Sequence, residues 1–159
     1  MVDGSDTEGL RQRDREHRLR HRAKVRAEVE RRGLASVMNQ TRWTKLRDGI
    51  RDLPFSPPYQ YQAVLDPREM LWVSDQRVQP GCWCYECLEP FYAIEWLRLI
   101  PRLWWQDGAL LPLTLVEDCT GPLRSTLIRL NIPFREDERG FWIYGYASGD
   151  PTLEPDAGP

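Results

Sequence analysis

Histidine is nearly absent: His17 and His21 are the only two in 159 residues, and both lie in a basic N-terminal stretch. From Met38 onward no imidazole is present to act as a general base, so Ser74, Thr120 and Ser125 have no nucleophile–base partner of the usual kind. Gly-x-Ser-x-Gly, the Walker loop, Gly-x-Gly-x-x-Gly and His-Glu-x-x-His are all missing. No run of about eighteen apolar residues occurs, which excludes a membrane-spanning helix. The first thirty residues contain no apolar segment of a secretory signal. These absences lead to the expectation of a cytoplasmic protein, not an enzyme, with no cofactor and with its four cysteines as reduced thiols.

What is present is enough for one core. Hydrophobic residues make up 41% of the chain, and seven Trp, six Tyr and four Phe supply bulky apolar area without a need for disulfides. The net charge of −2 conceals an asymmetry. Residues 1–37 hold ten Arg/Lys against seven Asp/Glu, whereas residues 38–159 hold twelve against seventeen. The basic character therefore belongs to an N-terminal arm, and the rest is acidic.

The arm divides into residues 1–9, expected to be disordered, and residues 10–32, a run of helix formers without Gly or Pro. Its apolar stripe is thin, so it reads as a helix or a flexible arm, with Gly33 as a stop. A single domain is expected over residues 38–150, followed by a disordered tail at 151–159. Asn39 or Thr41 can cap a helix whose apolar positions are Trp43, Leu46, Ile50 and Leu53. Strands are predicted at Tyr59–Leu65, Gly81–Leu88, Phe91–Ile100 and around Leu110–Val116, with a short one at Met70–Val73 and an Asp107-Gly108 turn. In the third of these, Ile94, Trp96 and Arg98 should face one way and Glu95, Leu97 and Leu99 the other. A second helix is predicted from Gly121 to Leu130, capped by Thr120 and stopped by Asn131. An aromatic strand, Phe141–Tyr146, then closes the domain. Few strand-to-strand links are long enough for helical crossovers. The fold class is therefore α+β: a mainly antiparallel sheet of four to five strands with two packed helices.

Four groups of residues carry candidate chemistry. Cys84 and Cys87 have zinc-like Cys-x-x-Cys spacing, with Cys82 and Cys119 as further candidate ligands, but no second Cys-x-x-Cys or His pair completes a site; inert strand cysteines are the preferred reading. Glu95 sits in an apolar strand, where it is a desolvated carboxylate of raised pKa, or else faces solvent or pairs with Arg98 or a cross-strand arginine, the second reading being preferred. Arg11, Arg13, Arg15, Arg18 and Arg22 can neutralise phosphates, although Asp14, Glu16, Glu28 and Glu30 offset part of that charge. Arg135 and Arg139 flank a charged turn beside Trp142, Tyr144 and Tyr146, which can meet a partner or simply line the core.

Asn39-Gln40-Thr41-Arg42-Trp43-Thr44-Lys45-Leu46-Arg47, Ile94-Glu95-Trp96-Leu97-Arg98-Leu99, and Ile132-Pro133-Phe134 with Phe141-Trp142-Ile143-Tyr144-Gly145-Tyr146 stand together in this chain. These three segments resemble a family of small, mostly bacterial proteins known only as a domain of unknown function. The resemblance covers about residues 39–150 and implies no activity, cofactor or catalytic residue. It leaves residues 1–37 outside, as an extension or a product of start-site choice, which an intact mass would decide.

The leading expectation is a small protein-binding module, in one version an immunity-type neutralising partner. Its contacts are expected at Trp142, Tyr144, Tyr146, Arg135, Arg139 and Glu95. The alternative is nucleic-acid association through the arm, and the third reading is a cysteine zinc site. No membrane partner is expected.

Overall fold

The computed structural model describes residues 4–65, 90–105, 112 and 114–148, with backbone alone for residues 4–7 and 105. In chain order the elements are α1 (Gly4–Arg31), β1 (Leu34–Ser36), α2 (Gln40–Arg51), β2 (Tyr59–Ala63), a 3-10 turn (Phe91–Ala93), β3 (Ile94–Leu99), β4 (Arg102–Trp105), β5 (Thr114–Asp118), α3 (Thr120–Arg129), β6 (Arg135–Asp137), β7 (Gly140–Tyr144) and β8 (Tyr146–Ser148). Strands β2, β3, β7 and β6 form an antiparallel sheet in that order, while β1 pairs with β8 and β4 with β5. The α+β expectation holds, with two helices on one face of the main sheet. The short strand at Met70–Val73, the strand at Gly81–Leu88, the Asp107-Gly108 turn and the 151–159 tail lie outside the described residues.

Helix α2 forms where its caps and stripe predict. The Asn39 side chain accepts a hydrogen bond from the Arg42 amide, and Trp43, Leu46 and Ile50 are buried. They pack with Leu123 and Leu127 of α3 over Leu97, Leu99, Phe141 and Ile143 of the sheet. Each such side chain contributes about 1.5–3 kcal/mol on removal from water. The two helices meet closely at Gly49, where an added Cβ would stand 2.6 Å from Leu130 Cδ1. Asn131 takes the left-handed conformation (φ 53°) that stops α3. Helix α3 differs from expectation at its start: Cys119 holds the cap position and Thr120 is the first helical residue. The exposed Asp118 carboxylate accepts the Thr120 amide at 2.8 Å instead.

Strand β3 breaks the predicted alternation. Ile94 joins Leu97 and Leu99 in the core, although simple alternation puts it on the opposite face. The cause is a register shift: Gln62 pairs with Trp96, and the next residue, Ala63, pairs with Ile94. Glu95 is the extra residue of this irregularity, and one extra residue exchanges the faces on either side of it. The β2 strand is shorter than predicted, ending at Ala63, and the strand expected around Leu110–Val116 lies later, at Thr114–Asp118.

The largest departure is N-terminal. The segment expected to be disordered to residue 9 is helical from Gly4. Val25 of α1 is 2% exposed and packs with Val64 and Ala93, with Val29, Tyr92 and Tyr146 around them. Gly33 (φ 65°) ends the helix, and β1 then pairs Leu34 with Ser148 and Ser36 with Tyr146. The expected domain start at residue 38 thus falls after one strand and part of a helix that contact the domain.

Candidate functional site

The sheet face opposite α2 and α3 is lined by the alternate residues of β2, β3 and β7; Gln60, Arg98 and Trp142 on it are buried, and Gln62, Trp96 and Tyr144 are half-buried. Arg98 has no exposed surface. Its guanidinium lies 5.3 Å from the Trp142 ring centre, and it donates to Gln60 Oε1 at 2.6 Å. Trp142 meets Trp96 edge-on at 5.2 Å and donates its indole N–H to Asp137 at 2.8 Å. Trp96 in turn donates to Gln62. A desolvated cation over an indole contributes about 2 kcal/mol. This is a polar–aromatic ladder that ties four strands together.

The residues expected at a contact surface are therefore engaged. Trp142 is 3% exposed. Tyr144 is half-buried opposite Trp96 in the ladder. Tyr146 donates its hydroxyl to the Tyr92 carbonyl at 2.8 Å, and burial pushes its own pKa up. Arg135 lies on β6 opposite Trp142 and is exposed, whereas Arg139 is half-buried in the β6–β7 turn, its amide donating to Asp137.

Glu95 has an arginine partner, but from an element that strand reasoning did not consider. Arg32, just past the end of α1, donates two hydrogen bonds to its carboxylate, both at 2.7 Å. The pair holds the Arg32 guanidinium above its usual range. The Glu95 carbonyl accepts the Gly145 amide, so the extra residue of β3 serves both the sheet and α1. Further up the helix, His21 Nδ1 lies 3.0 Å from the Tyr92 hydroxyl, and Arg22 stacks on the same ring at 5.4 Å. The N-terminal part of α1 stands clear: residues 8–20 are all exposed. Arg11, Arg13, Arg15 and Arg18 lie on that part and Arg22 where it meets the domain, with Arg18 paired to Asp14 and Arg20 to Glu16.

Cys119 is fully buried in the core, and desolvation, with the Asp118 charge second, pushes its thiol up to about 11. It is neutral at ordinary pH and turned away from solvent. Cys82, Cys84 and Cys87 lie outside the described residues, and among the described residues no group of three His, Cys, Asp or Glu is placed to hold a metal.

One surface escaped sequence reasoning. The β4–β5 ribbon presents Trp104 at 40% exposure directly opposite Leu115 at 43%, with the adjacent Val116 at 52%. Every residue of β5 is exposed. An Arg102–Asp118 pair closes the base of the ribbon, and the hydrogen bonding of Thr120, then Arg102, holds the Asp118 carboxyl below the usual range. Alternation alone did not mark this surface, because it reports which residues share a face and not whether that face is covered.

No described helix is long and apolar enough to cross a membrane. Residues 25–150 match a family of unknown function, DUF6678, and the chain belongs to it. The match begins at Val25, the first fully buried residue of α1, and so extends the expected span of 39–150 toward the N-terminus. No curated protein and no solved structure matches the chain.

Proposed function

We propose that this DUF6678 member is a non-enzymatic, cytoplasmic binding module whose partner is another protein, and that the β4–β5 ribbon is the contact. The observation that carries this is the exposed Trp104–Leu115 pair on an exposed strand. An exposed Trp that gains a pocket on a partner is a common centre of binding energy. Among the described residues β5 pairs with β4 alone, so its other edge also offers a template for an added strand. A neutralising partner of immunity type is the concrete version, by analogy with other small acidic α+β proteins.

The test is site-specific photo-crosslinking from position 116 in cells that make the protein natively. The expected result is one crosslinked partner protein, lost when Trp104→Ala and Leu115→Ala are combined. Failure to crosslink any other protein, or an adduct that survives the double substitution, sinks the assignment.

A further inference from the structure

The α1 helix carries two basic stripes that the ribbon does not explain. Arg11, Arg15, Arg18 and Arg22 recur at steps of four, three and four, so they share one side of the helix. Arg13, Arg20 and Lys24 recur at steps of seven and four and fall about 180° away, at ~100° per residue. Residues 11–26 hold eight Arg/Lys against Asp14 and Glu16. The first stripe runs in line with Val25 and Val29, which dock α1 on the domain, and continues beyond the docked part; residues 8–20 are exposed on all sides. The exposed stretch is about 20 Å long at 1.5 Å per residue, or about six base pairs of duplex.

We infer that α1 is a duplex-DNA-binding helix that lies in the major groove with one basic stripe against each phosphate wall. A helix with its side chains is about 10–12 Å across, and the B-form major groove is about 12 Å wide. A groove presents anions on both flanks of the helix at once, which is what opposite stripes require. A protein partner helix covers one side only and needs an apolar seam. Leu10 and Leu19, nine residues apart and 65% and 60% exposed, do not make one. The A-form RNA duplex is excluded by its deep, narrow major groove. The Arg18–Asp14 and Arg20–Glu16 pairs are exposed and exchange readily for phosphate. The remainder of the chain is acidic, so the contact is confined to this helix.

The test is fluorescence anisotropy of the full chain with a 20-base-pair DNA duplex over about 50–200 mM salt. Six phosphate contacts, from Arg11, Arg15, Arg18, Arg13, Arg20 and Lys24, give an affinity loss of about 10³-fold across that range. Replacing Arg11, Arg15 and Arg18 by Gln, or Arg13, Arg20 and Lys24 by Gln, should each reduce the loss to about 40-fold. Glutamine keeps helix propensity, and circular dichroism confirms that the helix persists. Lys45→Gln with Arg47→Gln, both on α2, should change nothing. The inference is overturned by no binding at 50 mM salt, or by a salt slope that one triple variant leaves intact. Equal affinity for an RNA duplex or for polyglutamate overturns it too, the last pointing to an acidic protein partner.

Discussion

Replacing Glu95 by Gln should loosen α1 from the domain while leaving the sheet in place. The Arg32 and Glu95 side chains are 27% and 13% exposed, and two 2.7 Å hydrogen bonds join them. Hydrogen bonds to charged groups contribute about 1.5–3 kcal/mol when buried. Fully exposed pairs give about 0.2–1 kcal/mol. The intermediate burial here places the coupling at about 1.5 kcal/mol, since part of the charge remains solvated. For a domain of this size that is a fall in Tm of about 5 °C. The measurement is a double-mutant cycle of Arg32→Gln and Glu95→Gln by urea unfolding, with hydrogen exchange followed over residues 21–36. The two single variants should cost nearly the same, and the double variant little more than either. Exchange should rise in the last turns of α1 and in β1 before it rises in β3 or β7. A coupling below about 0.3 kcal/mol, or protection of α1 that is unchanged, would refute the claim that this pair holds the helix.

Two further substitutions test other parts of the fold. Gly49→Ala improves helix propensity by about 1 kcal/mol, yet its Cβ would meet Leu130 Cδ1 at 2.6 Å and Thr126 Cγ2 at 3.0 Å. The α2–α3 contact should therefore open at a net cost of about 1–3 kcal/mol, read as a lower urea midpoint; a stabilised variant would show that Leu130 moves aside freely. Cys119 has its thiol raised by burial from the ordinary value of 9.0 to about 11. Well below pH 9 the thiol is neutral in both folded and unfolded chains and contributes no pH dependence. Between about pH 9 and 11 the unfolded chain loses this proton while the folded chain keeps it, so stability falls as pH rises. Cys119→Ala should flatten that part of the pH–stability curve and leave the number of natively reactive thiols unchanged; one fewer reactive thiol in the native state would place Cys119 at the surface.

Local signals were legible in the sequence. The Asn39 cap, the Trp43–Leu46–Ile50 stripe and the Asn131 stop are written within a turn or two of themselves, and they appear as read. Signals that depend on distant residues were not. The place of Ile94 depends on a register shift that only the pairing with β2 reveals. The docking of α1 depends on Val64 and Ala93, and on a carboxylate sixty-three positions away from Arg32. The hydrophobic content of α1 is low enough to read as a free arm, because one buried valine and one ion pair leave little periodic trace. Trp142 was correctly placed on an alternating strand. Its neighbours Arg98 and Trp96 bury it on the face away from α2 and α3, so it supports the sheet and offers little to a partner.

The pairing of β1 with β8 also has a mechanical meaning. Leu34, the first residue of β1, stands opposite Ser148, the last of β8. A force drawn between α1 and the segment after residue 148 therefore enters the ladder at one end and loads its hydrogen bonds one after another. Strands β3 and β7 lie inside that clasp, and β3 takes load early only at Glu95, through the pair with Arg32. If α1 is held on a polymer and a partner pulls on the C-terminal side, the clasp parts at low force. The helix-covered sheet then keeps its shape while the reach of the tether grows.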